Sequence, residues 1–364
     1  MKHYPLELKR DLRNGLVITG LIALVALALR IIGLSTGVFD PVGQAISDFH
    51  ISDGLFYAKA LQEKNSGRVN SGVVIVDIKD CDSREQIADI VDYINACSPK
   101  LLAVDIIFGK TPALCSGADS LLVAAFKKSP KLILASRYVP DTDGGHVERS
   151  FFADELCCLE GDVSFDLGKV RSFSPGGDYP SMVALIAKEG GITDAFNPQL
   201  VNYTPVNTIC LSAEALNDPS LLKDQIVILG DKGDYRDFHD IPVIIDGQPR
   251  TPGVNIIAQC LYTLRPGNGF KDSPQWLDLL LGLVLTFLFC TFVSSPLFRV
   301  GLFNGFWISL FQILAMIVML VVHFALFWGL HLNVSLTYWF IGVGFSGLAT
   351  ELFYFIFRRN NESA

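Results

Sequence analysis

The stretch VVIVDIKDCDSREQIADIVDYINACSPKLLAVDIIF, residues 73–108, runs through a strand, a helix and a second strand in direct succession. Residues 73–78 and 101–108 are short runs of mostly apolar side chains, which are typical of strands buried on both faces. Between them, residues 82–96 repeat apolar side chains at helical spacing, with Asp82 or Ser83 in the position of an N-cap. The stretch therefore predicts a β-α-β unit, the building block of a largely parallel sheet.

The same alternation continues through a region that extends over residues 40–274. Residues 137–180 fit it less well, and we expect β-rich irregular structure there. The prediction is one mixed α/β domain, with a largely parallel sheet flanked by helices. Apolar runs and helical periodicity predict its further strands at 131–136, 199–203 and 225–230 and its further helices at 118–129, 181–189 and 251–264.

Long apolar segments flank this domain on both sides. Charged residues make up 18% of the 364 residues, below the roughly one quarter that is usual in soluble chains, and the mean hydropathy is +0.40. Spanning a bilayer takes roughly 20 apolar residues in a helix. For the first segment, a cleaved signal peptide ending near Ala26-Leu27-Ala28 is the alternative. The sequence predicts four transmembrane helices, at residues 14–39, 275–298, 300–330 and 332–357.

The positions of Lys and Arg in the short flanks predict the orientation in the membrane. Basic residues are concentrated in the flank 1–13, at Arg299 between the second and third helices, and in the tail 358–364. Such flanks usually remain in the cytoplasm. We therefore expect both termini to be cytoplasmic and the domain over residues 40–274 to be extracytoplasmic.

Four ionisable residues fall within the apolar segments: Arg30, Asp278, His323 and Glu351. Residues of this kind can mark a path for ions or protons. Alternatively, Asp278 lies at the outer interface, while Arg30 and Glu351 snorkel or pair within a helix bundle. We favour the second interpretation, because three helices with few polar groups and no inverted repeat do not resemble a transporter.

Small residues line one face of the last apolar segment. Gly342, Ser346 and Ala349 recur at helical spacing, and such faces allow membrane helices to approach closely. This pattern predicts helix packing, either within one chain or between the two copies of a homodimer.

The domain contains no recognisable catalytic motif. Neither a phosphate-binding loop, a nucleophile elbow nor a zinc-protease helix occurs, and the histidines His146 and His239 do not stand in a ligand-like cluster. The net charge of −8 without a basic stripe argues against a nucleic-acid partner. We expect no catalytic residue, no cofactor and no metal ion.

Four carboxylates follow predicted strands: Asp77, Asp80, Asp105 and Asp231. Open α/β sheets usually bind ligands beyond the carboxyl ends of their strands, so these residues are candidate ligand-binding groups. The alternative is that they cap the turns and helices that follow the strands.

Seven cysteines lie in the domain, and an extracytoplasmic location would permit disulfides. An odd number leaves at least one thiol unpaired. Cys97 and Cys260 fall in helical patterns and are expected to be buried thiols. The connectivity of the others does not follow from the sequence, and the candidates for disulfides are Cys81, Cys115, Cys157 and Cys158.

Several short motifs occur in a definite order along the chain. A Phe-Asp pair ends the first apolar segment, VVIVDI and LLAVDIIF follow, and QIVILG and TPGVNIIAQCLYTL stand near the end of the domain. In order and spacing they resemble the CHASE2 domain, an extracytoplasmic sensory module of bacterial receptors. The positions that resemble the family pattern are Asp40, Asp105, Phe108, Asp166, Gly168, Arg171, Asn202, Tyr203, Gly230, Thr251, Pro252 and Gly253.

The resemblance extends over nearly the whole chain, and it implies a periplasmic sensory domain in a multi-pass protein of the bacterial inner membrane. Two departures, Thr204-Pro205 in place of Arg-Gly and Ile257 in place of His, suggest that a ligand would differ from those of other members. Members of the family usually continue into an output domain after the last helix. Only a short tail follows here, so we expect the output to lie in a separate protein.

These observations lead to three hypotheses of function. The first is a non-enzymatic sensory or adaptor protein that binds a ligand or envelope partner and passes the signal through its helices to that output protein. The alternative is a non-catalytic scaffold subunit of a membrane complex. The third is an extracytoplasmic enzyme that uses the strand-end carboxylates.

Overall fold

The computed structural model divides the chain into two compact units, Ser52–Phe270 and Met1–Ile51 with Lys271–Ala364. We call them the sheet domain and the helical unit. The residues that the structure describes are 4–36, 53–56, 58, 69–110, 116–139, 145–165, 169–176, 179–193, 197, 199–203, 206–212, 216–245, 248–294 and 305–362.

The strands are short, as expected for an α/β sheet. In chain order they are β1 Val69–Asp77, β2 Leu101–Asp105, β3 Leu132–Val139, β4 His146–Arg149, β5 Leu159–Asp162, β6 Ser172–Phe173, β7 Gln199–Leu200, β8 Val206–Ser212, β9 Ile226–Gly230, β10 Phe238–Ile245, β11 Gln248–Pro252, β12 Lys271–Asp272 and β13 Leu332–Asn333.

The helices include four long ones in the helical unit. In chain order the helices are α1 Tyr4–Thr36, α2 Arg84–Ala96, α3 Ser116–Phe126, α4 Ala153–Leu156, α5 Met182–Glu189, α6 Gly253–Thr263, α7 Gln275–Val293, α8 Gly305–Leu330 and α9 Thr337–Glu362.

A mixed sheet of seven strands forms the centre of the described part of the sheet domain. Its order is β4-β3-β2-β9-β1-β8, and β5 pairs with β3 beside β4. Only β4 runs antiparallel to its neighbour. The predicted mixed α/β fold with a largely parallel sheet is confirmed.

The predicted β-α-β unit is formed by β1, α2 and β2. Ser83 is the N-cap of α2, and its side chain accepts a hydrogen bond from the backbone N–H of Gln86. The apolar face of α2 packs with β1, β2 and β9 in one core cluster that includes Val76, Val91 and Leu229. Because β9 lies between β1 and β2, all five of its residues are buried.

One predicted strand is shorter than expected, and one strand of the sheet was not predicted. The predicted strand at 199–203 extends only over β7, which pairs with β6 outside the main sheet. The edge strand β8 was not predicted, although it pairs with β1 along much of its length. Its sequence, VNTICLS, mixes polar and apolar side chains, because an edge strand has a neighbour on one side only.

The helical unit contains the apolar segments. Among the described residues, three helical stretches are long and apolar enough to cross a membrane: Leu8–Ala28, Gln275–Val293 and Ile308–Leu330. The fourth predicted segment forms α9, which is not among these three.

The small residues of α9 pack inside the helical unit. Gly342, Ser346 and Ala349 are buried, and a Cβ at Gly342 would overlap the side chain of Thr286 on α7. Ala349 belongs to a buried cluster with Ile18 of α1. The small-residue face is therefore used for packing within one chain.

Candidate functional site

Two candidate carboxylates flank the last residue of β9 where the central strands end. Asp77 at the end of β1 and Asp105 at the end of β2 both align with Gly230, the last residue of β9. We call this end of the sheet, with the residues that directly follow it, the carboxyl edge. It is the place where open α/β sheets usually bind ligands.

Three of the four candidate carboxylates occupy turns at this edge. Asp77 is buried, and its Oδ1 accepts hydrogen bonds from the backbone N–H of Lys79 at 3.1 Å and of Lys232 at 3.0 Å. Oδ1 of Asp231 accepts a hydrogen bond from Gly233 N at 2.7 Å. Asp80 is exposed in the turn after β1. The turn-capping alternative therefore describes Asp77 and Asp231.

Asp105 differs from its neighbours at the same edge. It is partly buried and lies next to two charged groups, Asp237 and Arg137. Burial and, to a smaller extent, the negative charge of Asp237 raise the pKa of the Asp105 carboxyl, while Arg137 opposes both effects, and the net result is a pKa of about 7. Asp105 therefore changes its charge near neutral pH.

The sequence did not single out Asp237, whose negative charge raises the pKa of Asp105. It ends a single 3₁₀ turn between β9 and β10, and its Oδ2 accepts a hydrogen bond from the N–H of Gly253 at 2.9 Å. A Cβ at residue 253 would stand 2.8 Å from both carboxylate oxygens. Gly253 therefore allows the carboxylate to reach the first residue of α6, where the partial positive charge of the helix favours an anion.

His239 connects this carboxylate to a small cavity. Its Nε2 lies 3.5 Å from Oδ1 of Asp237, and its ring contacts the ring of Phe165 with the centroids 5.2 Å apart. Phe165 lines a cavity of about 80 Å³, which has room for a few water molecules or one small organic molecule. Polar and apolar groups share its wall, among them Asp162, Ser164, Ser172, Ser181 and Met182.

One carboxylate oxygen of Asp162, in the cavity wall, accepts three hydrogen bonds. Its Oδ1 accepts hydrogen bonds from Tyr138 N at 3.1 Å, from Ser164 N at 3.2 Å and from Ser164 Oγ at 2.8 Å. The residue stands at the end of β5 and pairs with Ser136 of β3, two residues beyond Leu134, which pairs with Val104 of β2. The cavity therefore belongs to the same carboxyl edge as Asp105.

A second polar cluster contains three of the family-motif residues. Arg171 donates from Nε to Oδ1 of Asp53 at 3.0 Å and from Nη2 to Oδ2 at 2.8 Å. The hydroxyl of Tyr203 is buried and donates to Val170 O at 2.6 Å. Each of these contacts satisfies a buried polar group within the protein.

Asn202 extends this cluster to the end of α6. Its N–H donates to Oγ1 of Thr263 at 2.9 Å, its Nδ2 donates to Asn268 O at 2.9 Å, and its carbonyl accepts from Nε2 of Gln259 at 2.6 Å. We call the cluster the junction. It consists of Asp53, Phe56, Val170, Arg171, Asn202, Tyr203, Gln259, Thr263, Asn268 and Phe270.

The junction joins the first and last described segments of the sheet domain. Asp53 and Phe56 belong to the helical stretch 53–56, and the ring of Phe56 packs edge-on against that of Phe270 with the centroids 5.1 Å apart. The motif residues at this place therefore hold the two ends of the domain together.

The other family-motif positions are distributed over the domain. Phe108 is buried, and its ring contacts those of Phe126 and Phe152. Thr251 and Pro252 are buried at the end of β11, directly before α6. Asp40, Asp166 and Gly168 lie outside the described residues.

Cys81, Cys157 and Cys158 are free thiols in the structure, so none of them is bonded to another. Cys157 and Cys158 are adjacent in sequence, and Cys81 and Cys158 pack at the margin of the α2 core cluster. Burial raises the pKa of the Cys158 thiol to about 11. Cys115 lies outside the described residues, and a disulfide that includes it stays a prediction.

The four ionisable residues of the apolar segments have different surroundings. Asp278 is buried and accepts a hydrogen bond from the hydroxyl of Ser273. His323 is buried, and neither of its ring nitrogens has a hydrogen-bond partner in the described part of the chain. Glu351 is exposed on α9. The side chain of Arg30 lies outside the described residues.

Comparison with known proteins gives one match. A family model described as the CHASE2 domain matches residues 21–293, which is most of the chain. No curated protein and no solved structure matches the chain.

Proposed function

The chain belongs to the CHASE2 domain family, and from this membership we propose that it is a non-enzymatic sensory protein of the bacterial inner membrane. CHASE2 is a sensory domain family, and three helices of the chain are apolar enough to span a membrane. In this proposal α9 is a fourth span, and the sheet domain lies on the periplasmic side. The basic flank 1–13 and the basic tail 358–364 support that orientation.

We infer that the ligand binds at the carboxyl edge, and the observation that carries this inference is the environment of Asp105. The partly buried Asp105 carboxyl feels the negative charge of Asp237, and Asp237 is linked through His239 to Phe165 in the cavity wall. Two such groups repel each other when both are ionised. A ligand that supplies a positive charge or hydrogen-bond donors would relieve this repulsion, so the site fits a small polar molecule with a cationic or donor group.

Helix α6 provides a direct route from this site to the junction. It begins at Gly253, whose N–H is bonded to Asp237, and it ends at Thr263, whose hydroxyl oxygen accepts from Asn202. All of its residues except Asn255 are buried. A buried helix of this length, about 16 Å, moves as a rigid body. A ligand that shifts Asp237 would therefore shift the junction through α6.

In this proposal the helices pass the change to a separate output protein at the membrane. Transmission requires two states of the domain that differ in their affinity for the ligand. The segments that enter and leave the sheet domain meet at the junction, so a change there alters the constraint on both connected chain ends.

The test is a search for a stabilising ligand with the full-length protein in detergent micelles. We expect a small cationic or donor-rich compound to raise the unfolding temperature of the protein and to have no effect on Asp105→Asn or Asp237→Asn. Asp231→Asn, which alters only a turn at the same edge, is the matched control and should respond like the unchanged protein. A panel without any active compound, or a shift retained in Asp105→Asn, would contradict the proposed site.

The orientation is tested on the same protein in intact cells. Cys157 is an exposed thiol of the sheet domain. A membrane-impermeant maleimide should label it without lysis, and the label should decrease in Cys157→Ser. Labelling of Cys157 only after lysis would contradict a periplasmic domain.

A further inference from the structure

Glu351 lies on the outer face of α9. The opposite face of this helix carries the buried residues Val343, Ser346 and Ala349 and packs inside the helical unit. The outer face exposes large apolar side chains, of which Leu348 is 67% exposed and Phe355 is 66% exposed. We call it the Glu351 face. It consists of Phe345, Leu348, Glu351, Leu352 and Phe355.

With α9 as the proposed fourth span, the position of Glu351 along the helix falls within the apolar part of its sequence. Ala349 and Phe353, on either side of it in sequence, belong to a buried cluster with Ile18 and Cys290. From Glu351 to the end of the apolar sequence at Phe357 the helix rises by about 9 Å. A carboxylate at this depth is costly when it faces lipid.

Within the described part of the chain, Glu351 has neither a hydrogen bond nor an ion pair. The residues three and four positions from Glu351 in the sequence are Gly347, Leu348, Tyr354 and Phe355, and none of them is a cationic residue type. Arg358 is two turns further along, about 10 Å away along the axis. This chain therefore provides no cation within a turn of Glu351 on α9.

Among the residues that the structure describes, a second copy of this chain offers no Lys or Arg on its other helices at the level of Glu351. Copies inserted in the same orientation keep equivalent residues at equal depth, and the level of Glu351 is that of Ile18 on α1. Arg13 lies about 7 Å and Arg30 about 18 Å from this level along α1. Helices α7 and α8 contain neither Lys nor Arg.

We propose that the Glu351 face binds a transmembrane helix of a different protein, and that this helix carries a Lys or Arg opposite Glu351. An intramembrane carboxylate and an intramembrane cation neutralise each other, and the apolar side chains around Glu351 supply the contact area. This inference rests on the proposed membrane function, since it requires α9 to lie in the bilayer. It specifies the chemistry of the partner that the proposed signal output needs.

The experiment uses the full-length protein in the membranes of its native host. A photo-cross-linking amino acid replaces Leu352, next to Glu351 on the same face, and the adducts are compared among variants. Glu351→Gln removes the charge at constant shape, Glu351→Asp retains it, and Leu348→Ala is the matched control for lost apolar contact. We expect an adduct with a different protein, reduced about ten-fold by Glu351→Gln and much less by the other two.

The identity of the partner residue completes the test. The cross-linked protein must carry a Lys or Arg within an apolar segment, and replacing that residue by Gln should reduce the adduct as Glu351→Gln does. Glu351→Lys combined with Glu at the partner position should restore it. Absence of any adduct, an adduct only between two copies of this chain, or a yield unchanged in Glu351→Gln would overturn the proposal. The ligand test on purified protein does not depend on these outcomes, so the two proposals fail separately.

Discussion

The junction and the carboxyl edge are two polar clusters of one domain, but their charges are arranged differently. In the junction, Asp53 faces Arg171 in a bidentate ion pair, and the buried hydroxyl of Tyr203 has a short hydrogen bond. At the carboxyl edge, the negative charge of a second carboxylate, Asp237, acts on Asp105 more strongly than the opposing positive charge of Arg137. Opposite charges meet in one cluster, and like charges meet in the other.

This difference separates the structural role of the junction from the binding role that we propose for the carboxyl edge. A satisfied network such as the junction stabilises the fold and gains nothing from a ligand. Two close carboxyl groups destabilise the ligand-free state and are relieved by a bound cation or donor. Family resemblance alone did not separate these roles, because Arg171 and Asp105 both occupy motif positions.

The largest expected effect is the loss of the junction ion pair. Arg171→Ala leaves the carboxylate of Asp53 buried without its cation, and we expect the sheet domain to lose about 3 kcal/mol of stability. The free energy of unfolding can be measured by pulse proteolysis of the full-length protein in urea. Arg236→Ala, which removes an exposed ion pair with Asp234, is the control and should cause no measurable change. If Arg171→Ala and Arg236→Ala lowered the free energy of unfolding equally, the ion pair of the junction would be no more stabilising than an exposed one, and its contrast with the carboxyl edge would be lost.

The next effect has the opposite sign and depends on pH. The pKa of Asp105 is about 7 in the folded protein, above its usual value of 3.8. Folding therefore favours the protonated form, and this stabilising contribution is complete below pH 4 and declines as the pH rises to about 7. Because Asp105 is partly exposed, we expect Asp105→Asn to stabilise the domain by only about 2 kcal/mol at pH 8 and to have little effect at pH 4.

Unfolding curves of the full-length protein between pH 4 and pH 8 test this expectation. The reference variant is Asp80→Asn, in an exposed turn of the same edge, and its profile should parallel that of the unchanged protein. A stability difference between Asp105→Asn and the unchanged protein that does not vary with pH would show that Asp105 is not protonated in this range.

The smallest expected effect concerns one hydroxyl in the junction. Tyr203→Phe removes the hydrogen bond to Val170 O and leaves that carbonyl without this donor, which should cost about 1 kcal/mol. Tyr235→Phe is the matched control, because Tyr235 is 78% exposed. The free energy of unfolding in urea is compared for the two variants. If Tyr203→Phe lowered it no more than Tyr235→Phe does, the hydrogen bond from Tyr203 to Val170 would not stabilise the junction.

Apolar periodicity was sufficient to predict the central part of the fold. The elements β1, α2, β2 and β9 were all predicted, because their side chains are buried against each other and leave a clear pattern in the sequence. Strand β8 at the sheet edge and the hairpin β10–β11 were not, since elements with one open side tolerate polar residues.

The candidate site was predicted only in part, for a different reason. Asp77 and Asp105 both end a buried strand, and nothing local separates them. One of the groups that bind Asp77 is the N–H of Lys232, which is 155 positions away in sequence. Asp237 follows no strand directly, so its place opposite Asp105 depends on the path of the chain. The Gly in the Thr251-Pro252-Gly253 motif was the one local signal for it.

The position of β9 between β1 and β2 also governs the order of folding. Strands β1 and β2 are joined through α2 but are not paired with each other, so they form a sheet only when β9 has entered between them. During synthesis more than a hundred residues therefore emerge while both strands keep unpaired edges. Such edges invite aggregation. A domain of this topology therefore needs protection from aggregation until synthesis of the chain has reached Gly230.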